Sequence, residues 1–294
     1  MTSRGSLINV HGRVLAALDP SVYASSVAQF AGWAAARLGS PLELLHAIDQ
    51  VHGKPAATDL SGSLSLGAHE ILLDKLANVD EQRGRLAQAQ GRELLDAARA
   101  QISKANGIDA ETRQRHGALV DVLLELEPGV RLFVLGKRGE HADFSSGHLG
   151  SNLERVVRAV HRPALVASRD YHEIKRFLIA FDGSATTRKC VEMVCASPLL
   201  KGLEAHLLTV GERDATSDEH VEWARSQLQA AGFTPFVERK TGTPDTVIAQ
   251  QVTDHNIDLL VMGAYGHSRI RSLILGSTTT QLLRRCHIPL LLLR

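Results

Sequence analysis

The sequence lacks several features that would assign it to a well-defined class. No apolar run reaches the ~18 consecutive residues that a membrane-spanning helix needs, and the amino-terminal segment has no continuous apolar region before a small-residue cleavage site. The 33 Lys and Arg residues balance 32 Asp and Glu residues, which leaves a formal net charge of +1. Because this balance gives no field that favours nucleic acid or an anionic membrane, we expect a cytoplasmic protein that binds neither.

Cysteine and the common catalytic motifs are scarce as well. The three cysteines, Cys190, Cys195 and Cys286, are odd in number and have no C-x-x-C spacing, so they indicate structural thiols rather than a zinc or redox site. The chain has no G-x-S-x-G elbow and no H-E-x-x-H motif. What it does have is length and apolar content, since 294 residues with 44% hydrophobic composition suffice for two globular domains of about 150 residues.

The chain contains an internal repeat. Four landmarks recur in the same order: a strand ending in an acidic turn, a short apolar strand, a strand ending in a glycine loop, and a Gly-Ser pair that opens a helix before a Pro-led strand. The matched segments are 13–21 with 176–184, 41–48 with 205–210, 131–139 with 258–266, and 150–167 with 276–293. Four landmarks in one order indicate that a single unit has been duplicated.

The strands of both halves are continuous Val, Ile and Leu runs, separated by segments with helical periodicity. Such runs are typical of parallel strands buried on both faces, so we predict an α/β fold with two tandem open parallel sheets and helices on both faces. The polar stretch 168–173 separates domains at 1–168 and 173–294. If the two domains pair within the chain, the last strands, 163–167 and 289–293, cover each other's open edges.

The first half is longer than the second. From Asp19 to Gly136 is 117 residues, whereas the equivalent distance from Asp182 to Gly263 is 81. The additional residues form an inserted segment at about 50–85. Its first part is loop-like in composition, and residues from 68 to about 103 have the apolar spacing of a long helix. A surface helix without a ligand role and a lid or packing arm are both compatible with this segment.

Glycines follow the third matched strand of the second half. Gly263 ends the strand, Gly266 follows, and after nine further residues Gly276, Ser277 and Thr278 open a helix. Glycine lets the backbone approach a phosphate closely, and the free N–H groups at a helix start bind anions. The spacing therefore predicts a two-part anion cradle.

The first strand of the second half ends in an acidic turn, Asp182-Gly183-Ser184. Its carboxylate could accept hydrogen bonds from a ribose or an adenine amino group, or it could cap the next helix. The better-known phosphate loops are absent from the sequence, because it has neither G-x-x-x-x-G-K-[ST] nor G-x-G-x-x-G after its first strand.

On these residues the chain resembles the universal stress protein family in its tandem form, over nearly the whole length and twice. The resemblance implies a five-stranded parallel sheet per domain with a Rossmann-like fold of the adenine nucleotide alpha hydrolase type. It also implies ATP or ADP as ligand, with or without Mg²⁺, and a role in surviving stress. Carried over residue by residue, it places adenosine contacts on Asp182, Val210, Met262 and Gly263, and phosphate contacts on Gly266, Gly276, Ser277 and Thr278.

The first half departs from the family pattern. Asp19 is followed by Pro20 instead of glycine, and ten residues rather than nine separate Gly139 from Gly150. We therefore expect nucleotide to bind mainly in the second half. The equivalent candidate positions in the first half are Asp19, Ala47, Leu135, Gly136, Gly139, Gly150 and Ser151.

The sequence offers no catalytic pair, so a nucleotide-binding sensor or regulator that needs no turnover is the favoured function. Slow ATP hydrolysis or phosphoryl transfer is one alternative. A protein-interaction module whose first domain has lost its ligand is another. The expected partner is an adenine nucleotide, and the sequence leaves a homodimer and an unidentified protein partner open.

Overall fold

The computed structural model describes residues 8–48, 66–137, 139, 151–264 and 276–293, and in them the two halves have the same succession of elements. The first half comprises β1 (Arg13–Ala17), α1 (Ala24–Leu38), β2 (Leu42–Ile48), α2 (Leu66–Asn106), β3 (Ala110–His116), α3 (Leu119–Leu126), β4 (Val130–Gly136), α4 (Ser151–Ala159) and β5 (Ala164–Ala167). The second half comprises β6 (Arg176–Ala180), α5 (Ala185–Ala196), β7 (Glu204–Val210), α6 (Ala215–Ala230), β8 (Phe236–Lys240), α7 (Pro244–Asp254), β9 (Leu259–Gly263), α8 (Ser277–Arg285) and β10 (Leu290–Leu293).

The strands form one continuous sheet in the order β3-β2-β1-β4-β5-β10-β9-β6-β7-β8. The five strands of each half are parallel to one another. At the centre β5 and β10 are antiparallel, with Leu165 opposite Leu291. The predicted open α/β architecture is confirmed, and the two five-stranded sheets join through their last strands, each of which covers the edge of the other.

The core forms two apolar layers, one on each face of the sheet. One layer packs α1, α2, α5 and α6 against the strands, and the other packs α3, α4, α7 and α8. Alternate residues of one strand serve opposite layers, as Val14 and Leu15 of β1 do. This division explains why the central strands are continuous apolar runs, because both faces of each strand are buried.

The strand order reverses at one point in each half. In the first half the chain runs from β1 outward to β2 and β3 and then returns to β4, on the other side of β1. In the second half it runs from β6 outward to β7 and β8 and then returns to β9, on the other side of β6. At such a reversal the connections leave the sheet in opposite directions, so a crevice opens beyond the carboxyl ends of the strands. The fold therefore provides two crevices, one between β1 and β4 and one between β6 and β9.

The long helix predicted in the first half is present as α2, which spans 41 residues, whereas α6 in the second half spans 16. Its carboxyl-terminal part joins the core through Leu95, Ala98 and Ile102. Gly91 allows a close approach to β2, because a Cβ at this position would lie 2.4 Å from the ring of His46. Residues 50–65 of the predicted insertion lie outside the described residues.

The two halves also contact each other away from the strands. The Arg37 guanidinium at the end of α1 donates hydrogen bonds to the carbonyl oxygens of Leu199 and Lys201. The Lys137 ammonium group, just after β4, donates to the carbonyl oxygens of Cys286 and Ile288 beyond α8. These bonds tie first-half side chains to second-half carbonyls on both sides of the β5–β10 pair.

Candidate functional site

The second-half crevice holds a cavity of about 400 Å³, which lies within the roughly 300–1,000 Å³ range of small-molecule sites. Seven of the eight residues predicted for this half line it, and the eighth, Gly266, lies outside the described residues. The predicted residues that line it are Asp182, Val210, Met262, Gly263, Gly276, Ser277 and Thr278. Three strand ends and the start of α8 therefore bring together positions that are up to 96 residues apart.

Asp182 is held in place by a local turn. Its Oδ1 accepts hydrogen bonds from the Ser184 backbone N–H at 2.9 Å and from the Thr187 hydroxyl at 2.8 Å. The Ser184 side chain, not Asp182, is the N-cap of α5, since its hydroxyl oxygen accepts from the Thr187 backbone N–H. The turn thus fixes the carboxylate at the mouth of the cavity without using it as the helix cap.

Gly183 is required by the geometry of this turn. Its φ of +76° lies in the left-handed region, and a Cβ would lie 2.2 Å from Nδ1 of His220 on α6. The Arg188 side chain donates a hydrogen bond to the Gly183 carbonyl at 3.1 Å. Any other residue at position 183 would strain the backbone and displace His220, so glycine here sets the position of Asp182.

The phosphate end of the predicted cradle is the start of α8. Gly276 is its N-cap residue, and glycine has no side chain with which to cap the first turn. The Thr279 hydroxyl donates to the Gly263 carbonyl at 3.3 Å, which fixes α8 against the end of β9. The first backbone N–H groups of α8 are therefore directed toward the cavity that Ser277 and Thr278 line, and the positive end of the helix dipole lies there.

Sequence reasoning missed the lining residues that come from other elements. Four of these are apolar residues, Ala180, Phe181, Leu208 and Ile248, and the others are Thr187, Pro244 and Thr279. The signal for Ile248 was present, because Ile248 and Val252 are spaced i,i+4 on α7 and are both buried. This i,i+4 spacing identifies the face of α7 that packs on the core. It does not show which strand ends that face covers, so it could not assign Ile248 to the cavity.

The first-half crevice is smaller, with a cavity of about 100 Å³. It brings together five predicted residues, with Leu119, Asn152, Leu153 and Val156 as lining residues that were not predicted. The five are Asp19, Ala47, Leu135, Gly136 and Gly139. Gly150 lies outside the described residues, and Ser151 begins α4. A Cβ at Gly139 would lie 3.0 Å from the Asp19 carboxylate, so this carboxylate and the glycine loop are in close proximity.

The acidic turn of the first half differs from that of the second. Pro20 replaces the left-handed glycine, and α1 begins at Ala24, five residues after Asp19, whereas α5 begins three residues after Asp182. The Tyr23 N-cap of α1 has no side-chain capping hydrogen bond. The substitution of proline for glycine therefore delays the helix and changes the turn that presents the carboxylate.

The thiols differ in reactivity because of their surroundings. Burial, together with the negative charge of Asp182, raises the pKa of the Cys190 thiol to about 12. Burial also raises the pKa of Cys195, although this side chain is partly exposed. At pH 8, only about one Cys190 side chain in 10⁴ is a thiolate, and the thiolate is the nucleophile.

We expect iodoacetamide at pH 8 to label Cys195 first and to leave Cys190 unmodified until the protein unfolds. Peptide mapping by mass spectrometry after timed labelling checks this order. Labelling in urea provides the control, since all three cysteines should then react. Modification of native Cys190 as fast as of Cys195 would contradict the expected burial.

The described residues meet the requirements neither of a metal site nor of a membrane-spanning helix. No group of three or more His, Cys, Asp or Glu side chains within them is arranged to hold a metal ion. Among the described helices, none is both long enough and apolar enough to cross a membrane.

Comparisons with known proteins agree with the sequence pattern and the fold. A model of the universal stress protein family matches residues 11–168 and 173–294. Universal stress protein Slr1230 of Synechocystis is 36% identical over 284 residues, which cover 96% of this chain and 99% of that protein.

Solved structures are similar over nearly the whole chain. The structure of a universal stress protein from Archaeoglobus fulgidus has a TM-score of 0.68 at 21% identity, with 96% of this chain and 98% of that chain covered. A protein of unknown function from Pseudomonas aeruginosa has a TM-score of 0.61 at 14% identity, with 97% and 93% covered. At these identities the structures are evidence for the shared fold, and the sequence matches are evidence for the family. The chain is a tandem member of the universal stress protein family.

Proposed function

We propose that this protein binds ATP or ADP, mainly in the second half, and acts as a cytoplasmic stress-response sensor or regulator of adenine nucleotide state. Residues 1–168 and 173–294 would act as two domains, of which the second is the principal ligand-binding one. The observation that supports this proposal most directly is the 400 Å³ cavity lined by Asp182, the end of β9 and the start of α8, whose N-cap is a glycine. The resemblance to the family supports the choice of an adenine nucleotide.

The cavity has an apolar part and a polar part, as a nucleotide does. Leu208, Ile248 and Met262 provide apolar surface for a base, and the Asp182 carboxylate provides an acceptor for ribose hydroxyl groups. At the other end, the first N–H groups of α8 and the hydroxyl groups of Ser277 and Thr278 provide donors for phosphate oxygens. Mg²⁺, if it accompanies the nucleotide, would be held by the phosphates themselves together with few protein groups.

The difference between the two cavities supports binding in the second half. The first-half cavity, at about 100 Å³, is one quarter the volume of the second-half cavity and falls below the usual range of ligand sites. Its Asp19 carboxylate lies against Gly139, the glycine that would face phosphate. A negative charge there opposes an anionic ligand, since the two like charges would share one small site.

We expect calorimetric titration of ATP with Mg²⁺ into nucleotide-stripped protein to give one site per chain. Asp182→Asn should weaken ATP binding about tenfold, which is the loss of a hydrogen bond to a charged acceptor. The variant should still fold, because an amide oxygen can accept from Ser184 and Thr187 as the carboxylate does. Asp19→Asn is the matched control in the first half and should leave the affinity unchanged.

Other stoichiometries would change the proposal in defined ways. Two sites per chain would mean that the first-half cavity opens to accept ligand, and the assignment to the second half would be wrong. The absence of ATP or ADP binding would contradict the nucleotide proposal altogether and favour a protein-interaction function. Equal weakening by Asp182→Asn and Asp19→Asn would contradict the placement of the ligand.

A further inference from the structure

A third polar cavity lies at the junction of the two halves, apart from both strand-end crevices, and has a volume of about 330 Å³. We refer to it as the junction cleft. The chain just after β4 and β5 forms one side, and the end of α8 forms the other. Its charged and titratable side chains, in addition to the buried Cys286 and Tyr23, are Lys137, Arg169, Asp170, His172, Arg284 and His287.

The junction cleft is electropositive. Three cations and one carboxylate give its described lining a formal charge of +2 while the two histidines are neutral. Lys137 is 7% exposed, and its ammonium group lies at the carboxyl end of α8, where it donates to the carbonyl oxygens of Cys286 and Ile288. This contact offsets the negative end of the α8 dipole, which would otherwise oppose an anion in the cleft.

Two guanidinium groups in the cleft have no carboxylate partner among the described residues. Within the described part of the chain, neither Arg169 nor Arg284 forms an ion pair or a side-chain hydrogen bond. Arg285, the next residue, contrasts with them, because its guanidinium lies 2.9 Å from the Asp245 carboxylate and also donates to the Thr246 hydroxyl. The cleft therefore receives the unpaired arginine of two that are adjacent in sequence.

The repeat provides an internal comparison for Arg284 and His287. Their equivalents are Arg158 and His161, at the end of α4. Arg158 lies 3.3 Å from the Glu154 carboxylate, whereas threonine, Thr280, replaces that glutamate in the second half. Arg158 thus has a carboxylate partner one helical turn away, and among the described residues Arg284 has none.

Two further pairs of equivalent positions, His161 with His287 and Lys137 with Ala264, also differ in charge or in their charged partners. Nδ1 of His161 lies 3.5 Å from the Glu127 carboxylate, while His287 has no carboxylate partner among the described residues. Ala264 stands in the second half where Lys137 stands in the first. Among the described residues, the equivalent positions in the two halves therefore differ in charge, which sheet pairing by itself does not require.

We propose that the junction cleft binds a dianionic phosphoryl group, either as inorganic phosphate or as part of a small phosphomonoester. Guanidinium groups bind phosphate oxygens with paired N–H donors, and Arg169 and Arg284 provide two such groups in the lining of one cleft. The formal charge of the lining matches that of the ligand. The volume leaves room for a small organic group beside the phosphoryl group. This site is separate from the proposed nucleotide site and does not depend on it.

The test is calorimetric titration of inorganic phosphate, and separately of glycerol 3-phosphate, into the nucleotide-stripped full chain at low ionic strength. Three proteins are compared: wild type, Arg169→Gln/Arg284→Gln, and the charge-matched control Arg225→Gln/Arg285→Gln. The control removes two exposed arginines that pair with Glu222 and Asp245 and do not line the cleft. Any phosphate binding in the strand-end crevices should be the same in all three proteins, because neither double variant changes a residue there. Differences in phosphate affinity between the proteins therefore report on the junction cleft.

We expect the cleft variant to weaken binding by about tenfold for each guanidinium removed, and the control to change it by no more than about twofold. Tighter binding of glycerol 3-phosphate than of phosphate would identify a phosphomonoester as the better ligand, and the reverse would identify the free anion. Equal weakening in both double variants, or no binding of either probe to wild type, would overturn the proposal. Circular dichroism and the melting temperature verify that the cleft variant is folded.

Discussion

Gly276→Val should reduce the affinity of the second half for ATP by about 100-fold or more, the loss expected when two or more charge-assisted hydrogen bonds are removed. Gly276 is the N-cap residue of α8 and lines the cavity beside Ser277 and Thr278. Its φ of −54° is accessible to valine, so the fold should survive the substitution. The added methyl groups would occupy the space that the proposal assigns to phosphate and would cover the first N–H groups of the helix.

Gly84→Val is the matched control for this experiment. Gly84 lies on α2, where a Cβ would meet no atom within 4 Å, and it is far in sequence from both glycine loops. The same substitution there should leave the ATP affinity unchanged, with a small gain in helix propensity, because valine ranks above glycine in a helix interior. Titration of both variants, with melting temperatures as a check on folding, separates a steric effect at the cavity from a general one. An unchanged ATP affinity in Gly276→Val would mean that the ligand, if any, does not contact α8.

The features of the fold that depend on apolar sequence were predictable. The central strands are buried on both faces, so β1, β4, β6 and β9 are recognisable as short apolar runs. The repeat then places the ends of these strands at equivalent points, and this is why Asp182 and Gly263 could be assigned to one edge of the sheet, whereas Val210 was assigned from the family resemblance. The sequence allowed the pairing of β5 with β10, because the last strands could cover each other's open edges, but it did not require this pairing, since β3 and β8 end the sheet as edge strands.

The edge strands and the junction cleft were not predicted, because neither has a continuous apolar pattern in the sequence. The edge strands β3 and β8 are largely polar, with sequences AETRQRH and FVERK, because they pair on one side only and much of their surface faces solvent. The repeat landmarks passed over both strands for this reason. The cationic junction cleft was likewise not predictable, because it depends on which arginines lack a carboxylate partner. Sequence equivalence places Arg158 and Arg284 at the same point of the repeat, and Glu154 and Thr280 likewise, but it does not show that α8 and the chain after β5 bring Arg284 and Arg169 to one cleft.

A buried carboxylate in the first half gives the largest expected effect on stability. Glu43 lies on β2 with 1% of its side chain exposed, and it forms ion pairs with Arg13 of β1 and Arg113 of β3. The two arginines are 36% and 39% exposed, so water solvates part of each guanidinium group. The equivalent position in the second half is His206, which lies beside Glu204. The three-residue network is therefore a feature of the first half.

We expect Arg13→Met/Arg113→Met to lower the free energy of unfolding of the first half by about 3–5 kcal/mol, because it leaves a buried carboxylate without a counter-charge. The triple variant that also carries Glu43→Leu should recover most of this loss, since three apolar side chains replace the whole network. Urea unfolding followed by tryptophan fluorescence measures both, because Trp33 of α1 is in the first half and Trp223 of α6 is in the second. Replacing Trp223 by Phe isolates the signal of the first half. Exposed ion pairs contribute up to about 1 kcal/mol to the free energy of unfolding. If the double variant loses no more than this, the two arginines contribute only as much as surface salt bridges do. Solvent would then reach Glu43.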